Sequence, residues 1–264
     1  MSRPVPTQVV PRPASWQPGQ PAPWERLSPA ERTGIDLGRV LAGLSAHGQR
    51  GPVPDGIGSA QAPVFSDGAG EAAEPGTRTI NSAVLAVLFE EAGEARLILT
   101  RRASSLRSHA GQVSFPGGRL DPGEDAPTAA LREAYEEIAL APTQVSLEGW
   151  IHPVFTLVSA SLIMPLVATV PARPHVMASP AEVERVLDVP LRDLADPAIF
   201  HEERWSFPGR QTGEASGTSR SPGNPAGPDD SFPVWFFEVE GELIWGATAR
   251  MIHELLSLVL VTPA

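Results

Sequence analysis

The sequence predicts an α/β domain, and three observations carry that expectation. Runs of β-prone apolar residues at 83–88 and 95–100 flank an acidic, glycine-containing turn at 90–94, the pattern of a β-hairpin. A segment of helical period at roughly 126–139 interrupts the strands and carries a dense group of glutamates. A second helical segment at 247–261 places Ile252, Leu255, Leu256 and Val259 on one face. Strands interleaved with one central helix and closed by a last helix call for a layered arrangement in which each helix covers a sheet face.

Taken in order, residues 1–27 read as a flexible Pro-rich tail with Trp16 and Trp24 as anchors. Ser28-Pro29-Ala30-Glu31 is a capping box with proline at the first helical position. Leu37, Val40, Leu41 and Leu44 follow at helical spacing, so one helix is expected over 28–45, packed on the domain that follows. Residues 48–77 return to Gly, Pro, Ala and acidic residues, the composition of a linker or mobile loop. The chain therefore divides into a Pro/Gly-rich extension, 1–77, and one domain, 78–264. In that domain the hairpin is followed by a short strand at 113–115, the turn Phe115-Pro116-Gly117-Gly118, the glutamate helix, and strands at 145–151 and 162–170. The stretch 206–231 is so rich in Gly, Ser and Pro that it reads as a flexible insertion between strands. Order resumes at 234–239 and 243–245, ahead of the closing helix.

Composition excludes several function classes. The 264 residues are 42% hydrophobic, enough for a core, and include no cysteine, so neither a disulfide framework nor a thiolate metal site is possible. The first twenty residues lack the apolar region of a secretory signal, and no apolar run is long enough to span a bilayer, so no membrane association and a cytoplasmic location are expected. A net charge of −11 argues against a nucleic-acid partner, whose phosphates require a basic surface. With no lysine in the chain, arginine is the only permanently cationic side chain available to bind phosphate.

The glutamate helix carries the chemistry. In Arg132-Glu133-Ala134-Tyr135-Glu136-Glu137, the spacing i, i+3, i+4 sets Glu133, Glu136 and Glu137 on one helical face, with Leu131, Ala134 and Ile138 opposite. Like charges at this spacing cost a few tenths of a kcal/mol per pair. Most such pairs are simply solvated faces of surface helices. Here the helix follows two glycines that permit close backbone approach, and clustered carboxylates beside a turn carbonyl suit a hard cation, Mg²⁺ or Mn²⁺.

Gly118, Glu124, Arg132, Glu133, Glu136, Glu137 and Leu140 together resemble the Nudix box, G-x5-E-x7-R-E-U-x-E-E-x-G-U, where U is a bulky aliphatic residue. Two positions depart from it: Ala134 is smaller than usual, and Ala139 stands where the family has glycine. A glycine just past a helix end takes the left-handed conformation freely, whereas alanine there costs about 1 kcal/mol. The resemblance implies an α/β/α sandwich with a mixed sheet, a catalytic helix after a Gly-rich turn, and a C-terminal helix. It also implies metal ligation by Glu133, Glu136, Glu137 and the Gly117 carbonyl, with Arg132 orienting the glutamates and Glu124 near an outer metal.

Upstream, Leu99-Thr100-x-Arg102-Ala103-x3-Arg107-x3-Gly111-x3-Phe115-Pro116-Gly117-Gly118 is similar to the signature of the coenzyme A pyrophosphatase branch, as is the closing Trp245-Gly246-Ala247-Thr248-Ala249-Arg250. The resemblance implies hydrolysis of coenzyme A and its derivatives to 3′,5′-ADP and 4′-phosphopantetheine. A ligand with a diphosphate and a separate 3′-phosphate needs several cationic contacts, and Arg101, Arg102 and Arg107, with Gly117 and Gly118 in the turn, are the substrate-binding candidates. Glu136 or Glu133 is the expected general base, with Glu182 as a distant-loop carboxylate for the same role. His109 and His152 are expected to be ordinary hydrogen-bonded histidines. The alternatives are a Nudix enzyme for ADP-ribose, NADH or nucleoside triphosphates, and a nucleotide-sensing module without turnover. The partner in each case is a small molecule, and the chain is expected as a monomer or homodimer.

Overall fold

The computed structural model describes residues 8, 10–54, 59–60, 78–156, 161–206 and 231–261. Its elements in chain order begin with β1 (Trp16–Pro18), α1 (Pro29–Arg32), α2 (Leu37–Ala46), β2 (Ser59–Ala60) and β3 (Arg78–Thr79). The domain continues through β4 (Ser82–Glu91), β5 (Glu94–Arg102), β6 (Val113–Ser114), β7 (Gly117–Arg119), α3 (Ala126–Ile138), β8 (Ser146–Trp150), β9 (Val154–Thr156) and β10 (Ser161–Thr169). It closes with β11 (Val183–Pro190), α4 (Leu191–Leu194), β12 (Phe200–Trp205), β13 (Phe232–Val239), β14 (Glu242–Trp245) and α5 (Gly246–Leu260).

The main sheet is mixed, in the order β11-β5-β4-β10-β8, with β6, β7 and β9 as short side pairings. β10 runs parallel to β4, and every other pairing in this sheet is antiparallel. The expected hairpin is β4–β5; its two-residue turn, Ala92 and Gly93, has positive φ at both positions, matching the right-handed twist of the strands. Alternation along β4 divides the interior. Ala83, Leu85, Val87 and Phe89 pack with Ala129, Ala130, Ala134 and Ile138 of α3 on one face. Val84, Ala86 and Leu88 face the other, under Met251, Ile252, Leu255 and Leu256 of α5 and Val40 and Leu44 of α2. Helix, sheet, helix is thus the layer order, an α/β/α sandwich.

A second antiparallel sheet, β1-β12-β13-β14, extends the molecule beyond the expected layers. Trp235, Phe237, Val239 and Ile244 turn one of its faces into the α5-side core. Trp205, Val234, Phe236 and Leu243 form a separate cluster on its other face.

The extension differs from expectation in two ways. The helix anticipated over 28–45 is two helices, because Gly34 takes a left-handed conformation (φ 64) and Asp36 starts a new helix by accepting from the Arg39 N–H. The capping box at Ser28 forms as read. Residues 10–27, expected as a flexible tail, lie along the second sheet: Trp16–Pro18 pair with β12, and Trp24 is wholly buried against Phe200 and Phe237. Trp16, the other expected anchor, is largely exposed. Of the expected linker 48–77, Gln49 and Arg50 add to the β8 edge, while 55–58 and 61–77 lie outside the described residues. The expected insertion 206–231 also lies outside them, apart from its two end residues. Among the described residues, no helix is long and apolar enough to cross a membrane.

Candidate active site

α3 begins at Asp125, whose side chain accepts from the Thr128 N–H, and ends at Ala139 in the left-handed conformation, φ 55 and ψ 27. Alanine therefore occupies the position where the resemblance expects glycine, in the backbone geometry that favours glycine. The turn ahead of the helix needs both of its glycines. A Cβ on Gly117, whose φ is +150, would stand 2.4 Å from the Ala83 carbonyl oxygen, and one on Gly118 would stand 2.4 Å from the Glu133 carboxylate. β7 can lie on β4 only because Gly117 carries no side chain, and Gly118 leaves the space that the Glu133 carboxylate fills.

Three carboxylates meet beneath this turn. Glu133, Glu137 and Glu182 each offer an oxygen within 4.8 Å of the others. The i, i+4 pair points almost the same way from the helix, whereas Glu136 diverges from Glu133 by about 60° and from Glu137 by about 100°. Accordingly Glu136 stays exposed and accepts from Arg132 Nη1 at 3.1 Å, outside the trio. Glu182, from the turn that enters β11, takes the third place. It is brought there by Ser179, whose N–H donates to the Glu137 carbonyl, and by its own carbonyl, which accepts from the Ala103 N–H.

Arg132 orders the acidic face. Its Nε and Nη2 bind the two oxygens of Glu124, each at 2.9 Å, while Nη1 donates to Glu133 at 3.0 Å and Nη2 also to the Arg119 carbonyl. A fork of this kind holds several carboxylates with fixed geometry. It keeps the Glu124 carboxyl below its usual range, and Glu124 lies outside the trio.

Glu137 is in the opposite situation, only 1% exposed. Burial pushes its carboxyl up to about 7, against the Gly117 N–H at 3.2 Å and the Arg102 guanidinium at 3.5 Å. Glu133 is raised as well, again chiefly by burial. An all-oxygen set at this spacing fits a hard divalent ion, which would offset the mutual repulsion of the carboxylates.

The three arginines of the expected substrate cluster have different surroundings. Arg101 donates through Nη1 to buried Glu242 at 2.9 Å and lies 3.7 Å from Glu184. The ion pair with Glu242 holds β5 to β14. No periodicity could reveal it, since the partners are 141 positions apart. Arg102 faces the trio, and Arg107 is exposed on the 103–112 loop with no ion pair among the described residues. His109 bonds Gln112 in the same loop, and His152 bonds Glu254 on the α5 side, so each is a hydrogen-bonded histidine as expected.

A family model described as a NUDIX domain matches residues 79–208. The uncharacterized Nudix hydrolase NudL of Citrobacter koseri is 35% identical over 188 residues, which cover 70% of this chain and 87% of that protein. The NudL protein of Photorhabdus laumondii is 35% identical over 160 residues (60% and 74%), and that of Escherichia coli K12 is 34% identical over 168 residues (63% and 77%).

Proposed function

The chain belongs to the Nudix family, and on that premise we propose that it is a divalent-metal-dependent diphosphatase that cleaves coenzyme A and its derivatives into 3′,5′-ADP and 4′-phosphopantetheine. One observation carries the reading: three glutamates converge under a glycine turn, faced by Arg102 at the end of β5, from which the loop bearing Arg107 continues. A diphosphate resists hydrolysis because its oxygens repel a nucleophile, so a catalyst must neutralise charge and supply an activated water. Mg²⁺ or Mn²⁺, when bound, supplies both.

The chain's own residues do the rest. Glu133 and Glu137 would hold the cation, together with the Gly117 carbonyl that the family pattern supplies, and Arg132 keeps Glu133 in register by gripping Glu124 and Glu136. Glu182, exposed and on a separate loop, faces solvent and receives the proton from the attacking water; Glu133 is the second choice for that role. Arg102, whose guanidinium lies 3.5 Å from Glu137 at the edge of the trio, would bind the diphosphate, and exposed Arg107 would bind the 3′-phosphate. The same reading sets the enzyme in the cytoplasm, as a monomer or homodimer.

The test is to incubate the protein with Mg²⁺ or Mn²⁺ and a panel of coenzyme A, acetyl-coenzyme A, 3′-dephospho-coenzyme A, NADH, ADP-ribose and a nucleoside triphosphate. Coenzyme A species should be cleaved fastest. Rapid cleavage of another member with coenzyme A untouched defeats the substrate assignment, and binding without cleavage of any member defeats the enzyme.

A further inference from the structure

Residues 10–18 are fastened to the second sheet at several points. Arg12 grips the buried Glu203 carboxylate through Nε at 3.0 Å and Nη2 at 2.8 Å, and its guanidinium lies 5.5 Å from the ring centres of both Trp16 and Phe236. Ser15 donates to the Ser206 carbonyl, and β1 pairs with β12. Ahead of this anchor, Gln8 joins two elements. Trp245 Nε1 donates to Gln8 Oε1 at 3.1 Å, and Gln8 Nε2 donates to the Gly111 carbonyl at 2.6 Å. The orientation of the amide follows from its partners: an indole N–H can only donate and a carbonyl can only accept.

Gly111 lies in the loop between β5 and β6. Its N–H donates to the Arg102 carbonyl at 3.1 Å, and the Ala103 N–H donates to the Glu182 carbonyl at 2.8 Å. Gln8 is therefore one residue removed from the backbone of Arg102, the last residue of β5, whose side chain faces Glu137; the loop itself carries Arg107 and touches Glu182. The loop contains two left-handed residues, His109 (φ 56) and Gly111 (φ 68). Within the loop His109 is held by Gln112, while the Gly111 carbonyl is held from outside by Gln8.

We propose that Gln8 is a positioning residue for the 103–112 loop, so that the docked N-terminal segment sets the affinity of the site for its phosphate-bearing substrate through Arg102 and Arg107. The affinity half rests on the diphosphatase reading above; the ordering of the loop does not.

The test uses full-length Gln8→Ala and Gln8→Glu. The second keeps an acceptor for Trp245 but turns an oxygen toward the Gly111 carbonyl. Hydrogen exchange of peptides covering 103–112, measured without substrate, should accelerate about threefold to tenfold in both, the range expected for losing one hydrogen bond. KM for coenzyme A with Mn²⁺ should rise by a similar factor, with kcat changed less than about twofold. Unchanged exchange in both variants overturns the proposal. Faster exchange with unchanged KM, in a protein that cleaves coenzyme A, overturns the affinity role. If the wild-type protein leaves coenzyme A intact while exchange still accelerates, the substrate reading fails and the loop role stands.

Discussion

Ala139→Gly perturbs one backbone position and nothing else in the site. Ala139 sits at the end of α3 with φ 55 and ψ 27, and its side chain is exposed, so no buried surface is lost on truncation. The left-handed conformation costs a residue with a Cβ about 1–2 kcal/mol. Glycine removes that cost but adds about 0.5–1 kcal/mol of chain entropy to the unfolded state. The net expectation is a stabilisation of about 0.5–1 kcal/mol, or about 1–4 °C in Tm for a chain of this size. Ala141→Gly is the control, because Ala141 has φ −65 and gains nothing from glycine there; it should lose about 0.5–1 kcal/mol. Thermal and urea unfolding of the three proteins, side by side, give the answer. Equal or lower stability of Ala139→Gly would refute the reasoning, as would a large change in activity, since Ala139 touches no carboxylate of the trio.

Two further predictions concern the surrounding framework. Burial among Trp24, Phe200 and Trp235 holds His253 neutral down to about pH 4, whereas an unfolded histidine takes up its proton near 6.5. Between those values the unfolded state binds the extra proton, so stability is full above 6.5 and falls by up to about 3 kcal/mol toward pH 4. Urea unfolding should show His253→Phe losing about 2–3 kcal/mol less than wild type between pH 7 and 4.5; equal losses would contradict it. Arg101→Ala should cost about 1–3 kcal/mol of stability by leaving buried Glu242 with only the longer contact to Arg185, while Arg107→Ala should change stability by less than about 0.5 kcal/mol. Arg107→Ala should instead raise KM for coenzyme A and not for the 3′-dephospho form; an equal rise for both would place Arg107 away from the 3′-phosphate.

The parts of the fold visible in the sequence are those set by local pattern. The β4–β5 hairpin, α3 and α5 each bury a continuous apolar face, and their periodicity marks them. The capping box at Ser28 is equally local. What escaped is non-local or conformational. One left-handed glycine, Gly34, divides the first helix, and a strand as short as Trp16–Pro18 exists only because β12 offers it an edge. β11, inseparable by composition from its neighbours, was not expected as a strand, although it carries Glu182 to the site. At the site itself, helical spacing groups three glutamates, but it cannot say which two turn inward. That depends on the position of β7 and of the Glu182 turn, which leaves Glu136 to Arg132. The arginines show the same limit: Arg101, Arg102 and Arg107 look alike in sequence, and only the opposing Glu242 separates the first from the other two.

The most direct measurement is to identify the products formed from coenzyme A by the wild-type protein and by Glu137→Gln, with and without Mn²⁺. The account predicts 3′,5′-ADP and 4′-phosphopantetheine in equal amounts, formed only with metal, and a rate at least about a hundredfold lower for the variant at unchanged folded content. Cleavage at any other bond, metal-independent turnover, or near-full activity of Glu137→Gln would contradict it.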